Sequence, residues 1–189
     1  MHYSGDTMTP GSLRASAFQV SALIALRLLI GWHFLYEGIT KLTSPYWSSS
    51  GYLADSKWLF DDLFIALGSS TTAVTVIDYL NMWGLTLIGL CLLLGLFVRA
   101  ASVAGIALLA LYWLAAPPFA GYTYGMPSEG SYLIVNKVLI ELGALLVVFA
   151  VPTSQRFGLD RFLARHSQAK PPVHTQPAVV AEVNEPVRA

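Results

Sequence analysis

The stretch from Arg27 to Leu42, RLLIGWHFLYEGITKL, decides the fold. It opens as a membrane-spanning helix should, yet it carries Arg27, His33, Glu37 and Lys41. At about 100° per residue these four fall within roughly a third of the helix circumference, and Trp32 falls on another face. A charged side chain at the bilayer centre costs at least ~2.5–3.5 kcal/mol on insertion scales. The stripe therefore predicts a helix that turns its polar face toward other helices and away from lipid.

The rest of the chain agrees with a bilayer setting. Of its 189 residues 55% are hydrophobic and 12% charged, against about 25% charged in ordinary soluble domains. Zero net charge argues against a nucleic-acid partner. The single cysteine, Cys91, lies in an apolar run, so the chain can build no internal disulfide, CxxC pair or thiolate metal cage. The lead MHYSGDTMTPGSLRASAF is polar rather than briefly basic, and we expect it to be retained rather than cleaved.

Four segments reach the roughly 20 apolar residues that a crossing needs. They are residues 17–40, 76–98, 100–116 (closed by Pro117-Pro118) and 132–151 (stopped by Pro152). Only Arg99 stands between the second and third, which predicts a tight hairpin. Arg14, Arg99, Arg156, Arg161, Arg165, Lys170 and Arg188 fall on the side of both termini, whereas the opposite loops hold Lys41 and Lys57. The positive-inside rule then puts both termini in the cytoplasm. Trp47, Trp58, Trp83 and Trp113 gather at the opposite boundary, as an aromatic belt does. The predicted fold is an all-α membrane protein, a four-transmembrane-helix bundle. It has a polar lead (1–16), a membrane domain (17–165) and a Pro-rich disordered tail (166–189). In the outer loop 42–75, SKWLFDDLFIALG is short and apolar enough to form a helix on or in the interface.

Sorting the remaining polar residues by depth brings them to one slab of the membrane. His33, Tyr36, Glu37 and Lys41 lie in the outer half of the first helix, with Arg27 nearer mid-depth. Asp78 and Asn81 lie near the outer end of the second, Asn136 and Lys137 in the outer half of the fourth, and Glu141 deeper. Arg27, Lys41 and Lys137 balance Glu37, Asp78 and Glu141 in formal charge. Structural roles compete with functional ones here. Lys41 and Asp78 can snorkel, Lys137 and Glu141 can pair within their own helix, and Arg27 can tie helices together. An unperturbed histidine titrates near neutrality, so His33 can pass a proton, or it can be a satisfied hydrogen-bonding histidine. As a set, ionisable groups inside a membrane mark a functional site by default.

Other chemistries are excluded. His2, His166 and His174 are terminal, so no second histidine reaches membrane depth to complete a bis-histidine haem site. Neither a nucleotide-binding glycine loop nor a GxSxG elbow occurs. His33 and Glu37 have a metal-compatible spacing but lack a third ligand, so no metal is expected.

RLLIGWHFLYEGITKL resembles the first-helix signature of the DoxX family, an arginine and a small-aromatic stretch followed by G-x-x-K-L. GLTLIGLCLLLGLFVRAAS is similar to that family's glycine-rich second helix with its closing arginine. FGLDRFL resembles its final element, with Gly158 where serine is usual, and MPSEGSYLIVNKVLIELGALLVVF resembles one bacterial branch. The likeness extends over about residues 20–163. It implies a compact bundle of four membrane helices. The family is named with a membrane subunit of thiosulfate:quinone oxidoreductase, and members are linked to redox complexes or quinone pools. Distant relatives serve as cargo receptors or assembly factors, so fold alone does not fix function.

The expected function is accordingly that of a multi-pass subunit of a redox system in the bacterial inner membrane. It carries no intrinsic cofactor and binds a quinone or small oxidisable substrate in a polar cavity of the outer half. His33 and Glu37 are the candidate catalytic, proton-exchanging residues. Arg27, Tyr36, Asp78, Asn81, Asn136, Lys137 and Glu141 are the candidate substrate- or quinone-binding residues. Expected partners are the lipid bilayer and a periplasmic or membrane redox protein, with homo-oligomerisation an open alternative and no nucleic acid. The rival readings are a non-catalytic anchor or assembly factor for a periplasmic enzyme, and a transporter of a small polar solute.

Overall fold

The structure, a computed structural model, describes residues 17–125 and 133–151. The polar lead, the Pro-rich tail, Glu129, the FGLDRFL element and every basic residue after Lys137 lie outside the described residues. Among the described residues the fold is all helical, with six helices. These are α1 (Ala17–Thr43), α2 (Ser50–Ala54), α3 (Asp61–Ser69), α4 (Thr71–Leu94), α5 (Val98–Ala115) and α6 (Lys137–Ala150).

Three of them, α1, α4 and α5, are long and apolar enough to cross a membrane. At 1.5 Å per residue, α1 with 27 residues spans about 40 Å and α5 with 18 about 27 Å. α6 has 14 residues and spans about 21 Å, short of a ~30 Å hydrocarbon core. The segment read as one helix from Tyr132 therefore begins later. Asn136 is the N-cap of α6, its side chain accepting from the Leu139 N–H at 3.0 Å, and Leu133 before it has positive φ. An asparagine that satisfies an orphan N–H starts a helix rather than sitting inside one.

The α4–α5 turn also differs from the sequence reading. The break falls at residues 95–97, where Gly95 takes the left-handed conformation (φ 65°) as the C-cap of α4 and Phe97 (φ 49°) precedes α5. Gly95 and Leu96 both donate their N–H to the Cys91 carbonyl, the way a glycine commonly closes a helix. Arg99 is thus not the connection. It lies in the first turn of α5, with its guanidinium 5.8 Å from the Phe149 ring of α6. The helix expected over SKWLFDDLFIALG is likewise shorter, with a separate helix before it. α2 ends at Ala54, α3 starts only at Asp61, and α4 begins at Thr71 rather than Val76.

α1 packs most extensively on α4, and α5 on α6. The two pairs share a core of Ile30, Phe34, Leu85, Ile88, Leu92, Leu109, Leu145 and Val148, with Phe34, Leu92 and Leu145 wholly enclosed. Backbones meet at glycines. A Cβ on Gly89 would stand 2.4 Å from the Leu35 nitrogen, and one on Gly38 would stand 2.4 Å from Thr86 Oγ1. Gly31 against Leu92 and Gly38 against Thr86 make α1 and α4 antiparallel. A smaller cluster, Leu53, Phe64 and Ala115, folds α2 and α3 over the end of the bundle where α4 begins and α5 ends.

This contact yields a paired test. Gly89→Ala forces the α1 and α4 backbones apart, an overpacking cost of about 1–3 kcal/mol, and should lower the melting temperature in detergent by several degrees. Gly84→Ala, with nothing within 4 Å of the added Cβ, should leave it within about a degree. Equal effects would rule out the α1–α4 register.

Candidate functional site: an interhelical polar cluster

A turn of 3.6 residues sets the geometry of α1. Arg27, Ile30, Gly31, Phe34 and Gly38 form its buried face, and His33, Glu37 and Lys41 follow one edge of that face at i, i+4 spacing. Lys41 Nζ meets Glu37 Oε2 at 2.5 Å and lies 5.4 Å from the Trp47 ring centre. One turn deeper, His33 Nε2 stands 3.2 Å from Glu141 Oε1 of α6. This pair joins two helices distant in sequence. Side-chain exposures of 33% for His33 and 18% for Glu141 leave the imidazole reachable. The charged neighbours of Glu37 are Lys41, His33 and Lys137, so the carboxylate faces cations from α1 and α6. Arg27 lies deeper on the same helix and is 3% exposed.

The other sequence-derived candidates divide. Tyr36 is 60% exposed on the outward face with Trp32 and Ile39, a correction to its placement in the binding set. It lies 300–400° of turn from Trp32 and Ile39, which places the three on one lipid-facing stripe. Asp78 is buried, and its Oδ1 accepts both the N–H (2.7 Å) and the hydroxyl (2.5 Å) of Ser49, the N-cap of α2. That carboxylate latches the outer loop to α4. Asn81, one turn on, donates from Nδ2 to the Tyr112 hydroxyl of α5 at 2.5 Å. Asn136 is engaged in capping α6. His33, Glu37, Lys41, Lys137 and Glu141 are therefore brought together, with Asn81 reaching α5 and Asp78 reaching the loop.

Sequence reading missed Tyr112 and the loop cap beside it. The Tyr52 hydroxyl donates to the Tyr112 carbonyl at 2.7 Å, and burial pushes the Tyr52 phenol well above its ordinary range, which keeps it a neutral donor. Trp58, Trp113 and Phe119 meet edge to face with ring centres 5.1–5.8 Å apart. Beside them, Asp55 Oδ1 pairs with Lys57 at 2.9 Å and Oδ2 accepts the Gly125 N–H at 2.6 Å, while Lys57 also donates to the Thr123 carbonyl. An aspartate two residues before a lysine gave no clue in sequence to the loop 70 residues away that it holds.

Among the described residues no group of three or more His, Cys, Asp or Glu side chains is disposed to hold a metal ion. What the cluster offers is proton exchange and hydrogen bonding. It has one imidazole, two carboxylates and two ammonium groups among three long apolar helices and α6.

Apolar helices of crossing length that enclose such a cluster define a multi-pass membrane protein. The chain matches the DoxX family over residues 22–118, just over half its length, and it belongs to that family. No curated protein and no solved structure matches it.

The loop clamp gives a pH test. The Lys57 ammonium, and next the Gly125 N–H, hold the Asp55 carboxyl below its usual range. A depressed folded pKa means that the clamp is complete above the ordinary aspartate value of about 3.9 and is lost as pH falls through the lower folded value. The Gly125 amide proton shift, followed by NMR, should titrate below 3.9, and Lys57→Met should move its midpoint upward. A midpoint that ignores Lys57 would contradict the clamp.

Proposed function

We propose that this chain is a membrane subunit of a redox system in the bacterial inner membrane, and that it binds a quinone headgroup or small oxidisable molecule at the interhelical polar cluster. The observation that carries the reading is the His33–Glu141 pair across α1 and α6. It sits one turn from Glu37–Lys41, in a chain whose family membership and apolar helices make it a membrane protein. In this reading α6 belongs to a fourth crossing, both termini are cytoplasmic, and the α2–α3 cap faces the periplasm.

The donor set fits such a ligand. A quinone supplies carbonyl oxygens that accept electrons and protons. With Nε2 held by Glu141, the His33 imidazole can exchange a proton with the ligand at its other ring nitrogen. Glu37 then serves as the neighbouring group that relays protons to the ligand, with Lys41 and Lys137 limiting the cost of its charge between transfers. Electrons reach the ligand from a partner protein. Arg27, Lys41 and Lys137 favour oxygens that carry partial or full negative charge.

A second reading, a non-catalytic anchor for a periplasmic partner, is favoured by the cap itself. The Trp58–Trp113–Phe119 cluster and the Asp55–Lys57 clamp make a fixed platform, and Tyr46, in the connection between α1 and α2, is 97% exposed.

Mild-detergent extraction followed by mass spectrometry of retained small molecules separates the two. The redox reading expects a quinone in the wild-type protein and its loss in Glu141→Gln. A stoichiometric partner protein retained in both, with quinone in neither, would establish the anchor reading instead.

A further inference from the structure

The Asn81–Tyr112 pair is left incomplete by the fold. Asn81 is 7% exposed, and its Nδ2 donates to the Tyr112 hydroxyl while its Oδ1 is buried with no hydrogen-bond partner. Turning the amide over only exchanges the ends. Oδ1 would then accept from the phenol, and the amide nitrogen would be left over. A buried amide with one end idle costs more than a leucine of similar size in this position, so a purely structural α4–α5 tie explains the pair poorly.

The phenol is incomplete too. Its oxygen accepts from Asn81, and among the described residues no acceptor takes its proton. Tyr112 packs on the same core as Phe34 of α1 and Val138 and Leu142 of α6, the sequence neighbours of His33, Lys137 and Glu141. Tyr112 therefore borders the same cluster as His33 and Glu141, from the α5 side. Tyr52 fixes its backbone from above through the carbonyl bond at 2.7 Å.

We propose that Tyr112, held by Asn81, is a ligand-binding residue of the polar cluster, donating its phenolic proton to an oxygen of the bound molecule. The ligand is then anchored at two places, by the His33–Glu141 pair between α1 and α6 and by a neutral hydroxyl on α5. Two anchors of this kind select a compact molecule with two separated oxygen functions, one able to exchange a proton and one that only accepts a hydrogen bond. A simple anion meets only the first requirement. This inference rests on the cluster being a ligand site, and it adds the residue that recognises the second oxygen.

The test is a titration of the full chain in nanodiscs with a short-tail benzoquinone and with its monodeoxygenated analogue, read by tryptophan quenching. Wild type, Tyr112→Phe and the double variant Asn81→Leu/Tyr112→Phe, which leaves no amide idle, are compared, with melting temperature as the check on folding. The expected result is a loss of about three- to tenfold in quinone affinity for Tyr112→Phe, the size of one hydrogen bond. Affinity for the analogue should not change. The double variant should melt no lower than wild type yet bind as weakly as Tyr112→Phe. Quinone affinity equal to wild type in either folded variant would overturn the role of Tyr112 and leave the site standing. Absence of binding to the wild-type chain would overturn the quinone site and, with it, this anchor.

Discussion

Helices in a bilayer gain little from hiding leucine from leucine, because lipid chains are as apolar as the core. What brings α1 and α4 together is close backbone approach at Gly31, Gly38 and Gly89, where van der Waals contact replaces lipid. This contact fixes the rotation of α1. With Gly31, Phe34 and Gly38 turned to α4, the edge with His33, Glu37 and Lys41 comes to the seam with α6, and Trp32, Tyr36 and Ile39 are left to lipid. Rotating α1 by one residue would bring a tyrosine or tryptophan into the glycine contact and expose an ion pair to hydrocarbon.

The charges follow from that placement. Glu37 and Lys41 neutralise one another along α1, whereas His33 pairs across the seam with Glu141. Such a pair is poor evidence of stability, since its desolvation cost can exceed its attraction. Its value lies in holding an imidazole in a set orientation next to a carboxylate. Around it, the polar groups of α4 face two ways. Asp78 reaches outward to Ser49 and fixes the cap, and Asn81 reaches across to Tyr112. Loop cap, α4 and α5 are thereby joined to the layer in which the ionisable residues meet, so a partner docking on the cap and a ligand in the cluster would bear on the same few hydrogen bonds.

Much of this was legible in the chain. The three long helices followed from apolar length, and the inward turn of Arg27, His33 and Glu37 followed from periodicity and the cost of charge in lipid. The His33–Glu141 contact was readable only as a shared depth, because depth does not give azimuth and two helices can be level without touching. Local competition produced the errors. Asn136 looked like a polar residue within a span because the apolar run continued on both sides of it, yet its side chain caps α6 and begins the helix there. Tyr36 was grouped with its neighbours in sequence, although it is only one residue from Glu37 and so about 100° away around the helix. Asp78 has the burial expected of a site residue, but a serine 29 positions earlier claims it. Tyr112 had no signal at all, since an aromatic near the end of a membrane helix reads as part of an interfacial belt.

The central claim is that the polar edges of α1 and α6 meet inside the bundle. It is tested most directly by cross-linking in native membranes. Cys91 is replaced by serine, cysteines are placed at 33 and 141, and a short bismaleimide is added, with a 36/141 pair as control. The account predicts rapid intramolecular linkage for 33/141 and none for 36/141, where the first position faces lipid. Linkage of the control pair, or none at 33/141 with both thiols reactive, would contradict it.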